Sequence, residues 1–89
     1  MVAKKSGDKW FVYVLRCGDG SLYTGITKDI TRRCEQHNAG TASRHTRSRL
    51  PVALVYQEPQ ASQSLALKRE AAIKGMPRLE KESLIRQAG

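Results

Sequence analysis

The chain has 89 residues, with 16 Lys and Arg against 8 Asp and Glu, which gives a formal net charge of +8. This length suits one small domain and argues against a catalytic module combined with a separate targeting module. A positive field of this strength attracts polyanions, so nucleic acid is the expected partner, although a basic surface that is merely solvated would explain the charge equally well.

Residues 1–9 are polar and lysine-rich, which predicts a flexible basic arm ahead of a single domain at residues 10–89. The arm lacks the apolar stretch of a signal peptide, and no run of about 18 apolar residues follows it. Cys17 and Cys34 are too few to staple a secreted fold, so we expect free thiols. Together with both histidines they could form a zinc site, but their spacing differs from that of zinc fingers. We therefore expect a cytoplasmic protein with no membrane contact.

A β-hairpin is predicted around the Gly-Asp-Gly sequence at residues 18–20, because β-branched and aromatic residues lie on both sides of it. If the loop has three residues, Cys17 lies opposite Ser21, and Tyr13 and Tyr23 are diagonal neighbours on one face of the hairpin. A two-residue loop would place the two phenols on opposite faces. The length of the turn therefore decides whether the tyrosines can act together.

The first helix is predicted over residues 30 to about 38, with Asp29 as its N-cap and Gly40 ending it. Four residues share one side of this helix at i, i+3, i+4 and i+7 spacing: Ile30, Arg33, Cys34 and His37. Arg33 and His37 therefore flank or join the side that packs on the sheet.

An arginine-rich block runs from residue 32 to residue 49, with five arginines and both histidines against one acid. Within it, residues 41–49 show no apolar periodicity and are predicted to form a mobile, charged loop. Arginine can hold phosphate oxygens with two donors at once. The residues expected to contact nucleic acid are Arg32, Arg44, His45, Arg47, Arg49 and Lys74.

The second half of the chain predicts one strand and two helices. Residues 52–56 form a strand that Pro59 closes, and a helix at about 62–74 ends at Gly75. The apolar sides of the two helices are predicted to carry Ala66, Leu67 and Ile73 in the first and Leu79, Leu84 and Ile85 in the second, which starts near Pro77. The fold class is therefore α+β, a three-stranded antiparallel sheet flanked by helices.

Glu70 is unusual because it borders the apolar side of its helix. A carboxylate at such a position is costly unless a cation, a metal ion or hydrogen-bond donors compensate it. An ion pair with Lys74 four residues later is the plain structural explanation. Strand tyrosines are usually packing residues, and we expect Tyr56 to be one.

Several short motifs now fall in one order. Phe11-Val12-Tyr13 precedes Tyr23-Thr24-Gly25, and these are followed by Thr27, Arg32-Arg33, His37-Asn38, Gly40, Leu67-Lys-Arg-Glu70 and Lys74. This order resembles the GIY-YIG nuclease family, named after its two strand motifs, over residues 10 to about 85. The small stand-alone bacterial members look closest. The first triplet keeps only its tyrosine, and Ile26 stands where repair-type relatives carry lysine.

The resemblance implies a three-stranded antiparallel sheet and hydrolysis of a phosphodiester with one divalent ion, Mg²⁺ or Mn²⁺. By the same resemblance, Tyr13 and Tyr23 line the site and position or deprotonate the attacking water. Arg33 faces the scissile phosphate, His37 matches a position held by histidine or tyrosine, and Glu70 holds the metal.

The function predicted from these features is that of an endonuclease, with DNA a more probable substrate than RNA. A phenol with an ordinary pKa of about 10 is a poor base at neutral pH, so Tyr13 and His37 remain competing candidates for the general base. A nucleic-acid-binding module with little catalysis is the alternative, because the first motif is weakened. Docking on an acidic protein or ribonucleoprotein is a third possibility.

Overall fold

The computed structural model describes residues 9–88, so all but the last residue of the predicted N-terminal arm lies outside the described residues. Three strands and four helices follow in chain order: β1 (Trp10–Arg16), β2 (Leu22–Thr27), α1 (Ile30–Asn38), α2 (Arg44–Arg47), β3 (Ala53–Gln60), α3 (Gln63–Lys74) and α4 (Arg78–Ala88). The strands form one antiparallel sheet in the order β2-β1-β3. The predicted α+β fold with a three-stranded antiparallel sheet is confirmed.

Of the two loop lengths that the sequence leaves open, the hairpin has the three-residue loop. The Cys17 N–H donates to the Ser21 carbonyl at 2.8 Å, and Leu15 pairs with Tyr23. Gly20 lies at φ +88°, a left-handed conformation that glycine adopts without strain. Tyr13 and Tyr23 therefore lie on the same face of the sheet.

Strand β1 forms the centre of the molecule, because its neighbours cover it along both edges and both faces. Val12, Tyr13, Val14 and Leu15 are each no more than 1% exposed. Val12 and Val14 pack on one face with residues of α3, whereas Tyr13 and Leu15 pack on the other face with residues of α1. The alternation of side chains along β1 thus divides the core into two halves.

The helix ends at Asp29 and Gly75 follow the prediction, and Ser62 is a further cap. The Asp29 side chain accepts a hydrogen bond from the Arg32 N–H at 3.0 Å, and the Ser62 side chain caps α3 in the same way. Gly75 is the C-cap of α3. These caps satisfy backbone groups that the helix itself leaves unpaired.

Four details differ from the sequence prediction. Residues 41–49 include the short helix α2, and β3 continues through Pro59 to Gln60. Pro59 is tolerated because β3 is an edge strand with one side free of ladder bonds. Leu67 and Leu79, predicted to be on apolar sides, are 47% and 83% exposed. In a chain of this size each helix buries only a narrow stripe, which leaves some leucines in solvent.

Helix α4 is tied to the sheet by an ion-pair cluster at its centre. Arg16 of β1 donates to both carboxylate oxygens of Glu82 at 2.8 and 3.0 Å, and Arg78 of α4 donates to the same carboxylate. These hydrogen bonds, chiefly those from Arg16, lower the pKa of Glu82 to about 2.

We expect Glu82→Gln to reduce the free energy of unfolding at neutral pH. Because folding lowers the pKa of Glu82, its contribution is fully present above its unfolded pKa and is lost as pH falls through its folded pKa. The stability difference between the wild type and Glu82→Gln should therefore shrink as pH falls from about 4.5 to about 2. Urea unfolding across that range measures it, with the exposed Glu80→Gln as control; a difference that does not change with pH would contradict the assignment.

Candidate active site

Two tyrosines from the hairpin form one wall of the candidate site. Their ring centroids are 6.4 Å apart with the ring planes tilted by 43°. Tyr13 is 1% exposed, whereas Tyr23 is partly exposed and lies nearer to solvent. The sequence prediction that these two side chains share a face is therefore confirmed.

Gly25 makes room for the Tyr13 side chain. It is the pairing partner of Tyr13 across the hairpin, and the phenol lies directly over its backbone. A Cβ atom added to Gly25 would be 2.6 Å from Tyr13 Oη and 2.8 Å from Tyr13 Cζ. Any larger residue at this position would force the phenol to move.

His37 joins the tyrosines from the last turn of α1. Its Nε2 atom lies 2.9 Å from Tyr13 Oη, and its Nδ1 atom lies 2.8 Å from Thr46 Oγ1. The ring also packs edge-on against both tyrosines, with centroids 5.8 Å from Tyr13 and 5.1 Å from Tyr23. His37 and Thr46 are both fully buried. We call Tyr13, Tyr23, His37 and Thr46 the tyrosine–histidine cluster.

Burial controls the ionisation of the two central groups of this cluster. It lowers the pKa of His37, and the nearby positive charge of Arg33 lowers it further. The ring is therefore a neutral imidazole at neutral pH. Burial raises the pKa of Tyr13, while hydrogen bonding and charge from Arg33 oppose that rise. The phenol thus keeps its proton unless a neighbouring acceptor takes it.

Arg33 stands between the cluster and an open hollow. Its Nη1 atom donates to the Gln36 side-chain oxygen at 3.0 Å, and its buried Nε atom has no partner within residues 9–88. The hollow has a volume of about 340 Å³. Its lining residues come from both faces of the sheet at the β2 edge: Trp10, Ile26, Thr27, Lys28, Asp29, Arg32, Arg33 and Gln36. An anion entering here would meet three cationic side chains, Lys28, Arg32 and Arg33, and one carboxylate, that of Asp29.

His45 of α2 packs against the tyrosine–histidine cluster. Its ring lies 5.7 Å from that of Tyr23, measured between centroids, and its Nε2 atom is buried without a partner in the described part of the chain. Tyr23 therefore packs against both His37 and His45. This arrangement fixes the outer tyrosine of the pair.

The other arginines predicted to contact nucleic acid divide into three that are exposed and one that the fold engages. Arg32, Arg44 and Arg47 are exposed and free to meet a polyanion. Arg49 is engaged by the fold, because it donates to the Asp19 carboxylate at 3.0 Å and to the His45 carbonyl at 2.8 Å. We infer that Arg49 mainly attaches α2 to the hairpin loop.

Glu70 is not brought into the tyrosine–histidine cluster. Its helix, α3, packs on the opposite face of the sheet, where Ala66 and Ile73 meet Val12 and Val14. The Glu70 carboxylate is 19% exposed and pairs with Lys74 at 3.3 Å, the ion pair considered from the sequence. Helix α3 also contacts edge strand β2, which borders the hollow. The helices that carry Glu70 and Arg33 thus cover opposite faces of the sheet.

A divalent ion would have few protein ligands here. Among residues 9–88, no three His, Cys, Asp or Glu side chains are grouped closely enough to hold a metal. Mg²⁺ is commonly bound by one or two carboxylates, with waters and substrate phosphates completing its shell. The half-buried Glu70 carboxylate, whose cationic partner Lys74 is 56% exposed, fits that minimal requirement.

Sequence reasoning missed Thr46 and the helix that carries it. The Ser43 hydroxyl caps α2 by accepting from the His45 N–H at 3.1 Å, and Thr46 Oγ1 donates to the Ser43 carbonyl at 3.3 Å. A serine directly before a basic helical turn is an N-cap signal that could have located α2. Nothing in the sequence marks Thr46 as fully buried.

The described residues contain two free cysteines and no long apolar helix. Cys17 is buried, Cys34 is partly exposed, and both are unpaired, as the sequence predicts. Between residues 9 and 88, every helix is too short or too polar to cross a membrane.

Comparison with known proteins identifies the family. The GIY-YIG catalytic domain matches residues 9–82. A UPF0213 protein of Staphylococcus aureus strain Mu3 is 50% identical over 80 residues, which is 90% of this chain and 98% of that protein. The solution NMR structure of the UPF0213 protein BH0048 from Bacillus halodurans is 38% identical with a TM-score of 0.60, covering 91% of this chain and 86% of that chain. The solution NMR structure of the protein EF2693 from E. faecalis is 38% identical with a TM-score of 0.61, covering 89% of this chain and 84% of that chain.

Proposed function

The chain belongs to the GIY-YIG catalytic-domain family, and from that premise we propose that it is an endonuclease that hydrolyses phosphodiester bonds, in DNA more readily than in RNA. One observation carries the proposal: Arg33 borders both the buried Tyr13–His37 pair and the open cationic hollow. A phosphate in the hollow would therefore meet the Arg33 guanidinium, and the proton-accepting pair lies buried behind that guanidinium. Free thiols suit a reducing compartment, so we also propose cytoplasmic action.

The proposed chemistry gives each side chain a separate task. Arg33 neutralises charge on the non-bridging phosphate oxygens, as hydrolysis of a phosphodiester requires. Tyr13 accepts a proton from the attacking water, and Tyr23 positions that water from the solvent side. His37 is neutral before the reaction and can then take the phenolic proton of Tyr13, becoming an imidazolium. Tyr13 and His37, rivals for the role of base in the sequence, thus become partners.

Glu70 is the proposed ligand of a single Mg²⁺ or Mn²⁺ at the β2 edge. Such an ion, when bound, would neutralise charge on the phosphate and lower the pKa of water. Lys74 would have to leave the carboxylate, which its exposure permits. Exposed Arg32, Arg44 and Arg47 would hold the flanking backbone without reading sequence.

A nucleic-acid-binding module is the second candidate function. It is favoured by the burial of Tyr13 and His37, which are 1% and 0% exposed, and by the position of Glu70 against the other face of the sheet. Binding without turnover would leave strong, salt-sensitive affinity, since phosphate contacts alone give affinity that falls with salt.

The test is to incubate the purified chain with labelled duplex, branched and single-stranded DNA and with RNA, in Mg²⁺, Mn²⁺ or EDTA, and to measure cleavage. We expect cleavage that requires the ion and falls by about 100-fold in Glu70→Gln, because charge stabilisation at the phosphate is lost. The matched control is Glu80→Gln, an exposed acid on α4. Trp10 is the sole tryptophan and lines the hollow, so its fluorescence reports binding independently of cutting.

Three results would count against the endonuclease. Cleavage that is unchanged in both Glu70→Gln and Arg33→Ala would mean that another site or a contaminant is responsible. A fluorescence response with no turnover in any ion would favour the binding module. Failure to bind any nucleic acid would remove both candidate functions.

A further inference from the structure

The Thr46 hydroxyl contacts the ring nitrogen of His37 that does not face Tyr13. It lies 2.8 Å from His37 Nδ1 and is fully buried. Oγ1 is also 3.3 Å from the Ser43 carbonyl oxygen, which can only accept, so Thr46 is the donor in that contact. A hydroxyl has one proton and two lone pairs, so a Thr46 that donates to Ser43 accepts from His37. This pairing places a proton on His37 Nδ1.

The position of this proton decides what His37 can do at its other nitrogen. A neutral imidazole carries one proton, so with Nδ1 protonated the Nε2 atom is an acceptor. Tyr13 Oη, 2.9 Å away, is then the donor of their hydrogen bond. The opposite tautomer would need the Thr46 proton for Nδ1 and would leave the Ser43 carbonyl with the Arg47 N–H, at 3.0 Å, as its remaining donor. Nε2 would then donate to Tyr13 and could not receive its proton.

We propose that Thr46 is a positioning residue that fixes the His37 tautomer, with the proton on Nδ1, so that Nε2 can accept the phenolic proton of Tyr13. This inference rests on the proposed function for its role in hydrolysis. Thr46 itself contacts neither the phosphate nor the attacking water. It acts through His37, as the groups that orient a catalytic histidine do in other hydrolases.

The proton movements balance in the step that Thr46 supports. Water gives one proton to Tyr13 Oη while Tyr13 passes its own proton to His37 Nε2, and the resulting hydroxide forms a bond to phosphorus. The bond from phosphorus to the leaving oxygen breaks. The imidazolium then gives up its proton through solvent, and the leaving oxygen takes one up. The sum is one water and one diester converted to a monoester and an alcohol.

Hydrogen bonds made by Ser43 and Arg49 hold helix α2, which carries Thr46, in place. Ser43 caps the helix, and Arg49 joins the His45 carbonyl to Asp19 of the hairpin loop. The loop that precedes Tyr23 and the helix that orients His37 are thus linked. This linkage gives the arginine-rich segment a task inside the site besides contact with nucleic acid.

The test compares the wild type with Thr46→Val, which keeps the shape but has no acceptor, and Thr46→Ser, which keeps the hydroxyl. Nitrogen-15 NMR of the His37 ring should show a protonated Nδ1 in the wild type and in Thr46→Ser, and a shift toward the Nε2-protonated form in Thr46→Val. We expect kcat of Thr46→Val to fall by about 100-fold with KM changed less than about twofold, whereas Thr46→Ser stays within about threefold. Thr41→Val is the control, since Thr41 is exposed.

The outcomes separate this inference from the proposed function. A wild-type His37 protonated on Nε2 would overturn the inference, and this measurement needs no variant to fold. Full activity in a Thr46→Val protein with an altered tautomer would overturn the kinetic role. If the wild type cuts no substrate, the proposed function and the kinetic role fall together, whereas a protonated Nδ1 would still support the positioning by Thr46.

Discussion

Replacing Arg33 with alanine is expected to lower kcat for phosphodiester cleavage by about 100- to 1,000-fold, the usual loss when a preorganised donor to developing charge is removed. The side chain is already oriented by its bond to Gln36, and its buried Nε has no partner within residues 9–88. A phosphate in the hollow would therefore meet a guanidinium whose orientation is already set. Steady-state kinetics on the best-cleaved substrate provides the measurement.

Two matched variants separate the charge of Arg33 from its two-donor geometry and from the general effect of removing an arginine. Arg33→Lys keeps the charge and loses the two-donor geometry, so we expect it to recover only part of the lost rate. Arg86→Ala removes an exposed arginine near the end of α4 and should leave kcat unchanged. A rise in KM with unchanged kcat in Arg33→Ala would contradict transition-state stabilisation and leave Arg33 as a binding residue.

Arg33 also affects the pH dependence of the rate. Its charge contributes to the lowered pKa of His37, so Arg33→Ala should raise that pKa. Because neutral His37 is the proposed acceptor, activity is lost as pH falls through this pKa. The acidic limb of the residual pH–rate profile should therefore move to higher pH in the variant.

The parts of the site that were predictable from sequence depend on local rules. Three-residue turn geometry fixes the parity of Tyr13 and Tyr23, and the Asp29 cap together with i, i+3, i+4 and i+7 spacing places Arg33 and His37 on the buried side of α1. Each rule acts within one hairpin or one helix. The structure confirms both placements.

The missed parts depend on contacts between separate elements of the fold. Thr46 is buried because α2 folds back over α1 and reaches His37, nine residues away, which no periodicity in an arginine-rich segment reveals. The position of Glu70 relative to the tyrosines depends on which face of the sheet α3 covers. That choice follows from the packing of Ala66 and Ile73 on Val12 and Val14. Sequence spacing within one helix cannot determine it.

Introducing a methyl group at Gly25 is expected to disrupt the candidate site more than its size suggests. The added Cβ would be 2.6 Å from Tyr13 Oη, and the phenol cannot withdraw because it is buried and bonded to His37. Overpacking of this kind costs about 1–3 kcal/mol of folding free energy. We expect Gly25→Ala to lower the urea midpoint and, by displacing the phenol from His37 Nε2, to reduce cleavage as well.

Gly75→Ala is the matched control for this substitution. Its Cβ would have ordinary contacts, the nearest 3.5 Å from the Ala71 carbonyl oxygen, and its φ of −80° suits alanine. A glycine-to-alanine change at such a position is neutral or stabilises by up to about 1 kcal/mol. Loss of stability in Gly25→Ala alone would therefore reflect the local clash and not the general effect of removing a glycine.

A double-mutant cycle identifies Tyr13 as the group that meets the new methyl. Tyr13→Leu removes the phenol, so Gly25→Ala should cost less in that background, with a coupling of about 0.5–3 kcal/mol. Additive costs, or a neutral Gly25→Ala, would show that the phenol does not cover Gly25. Among residues 9–88 only Gly20 and Gly40 have positive φ, so backbone conformation does not require glycine at position 25. The glycine of the Tyr-Thr-Gly motif is therefore needed for the space that lets Tyr13 reach His37.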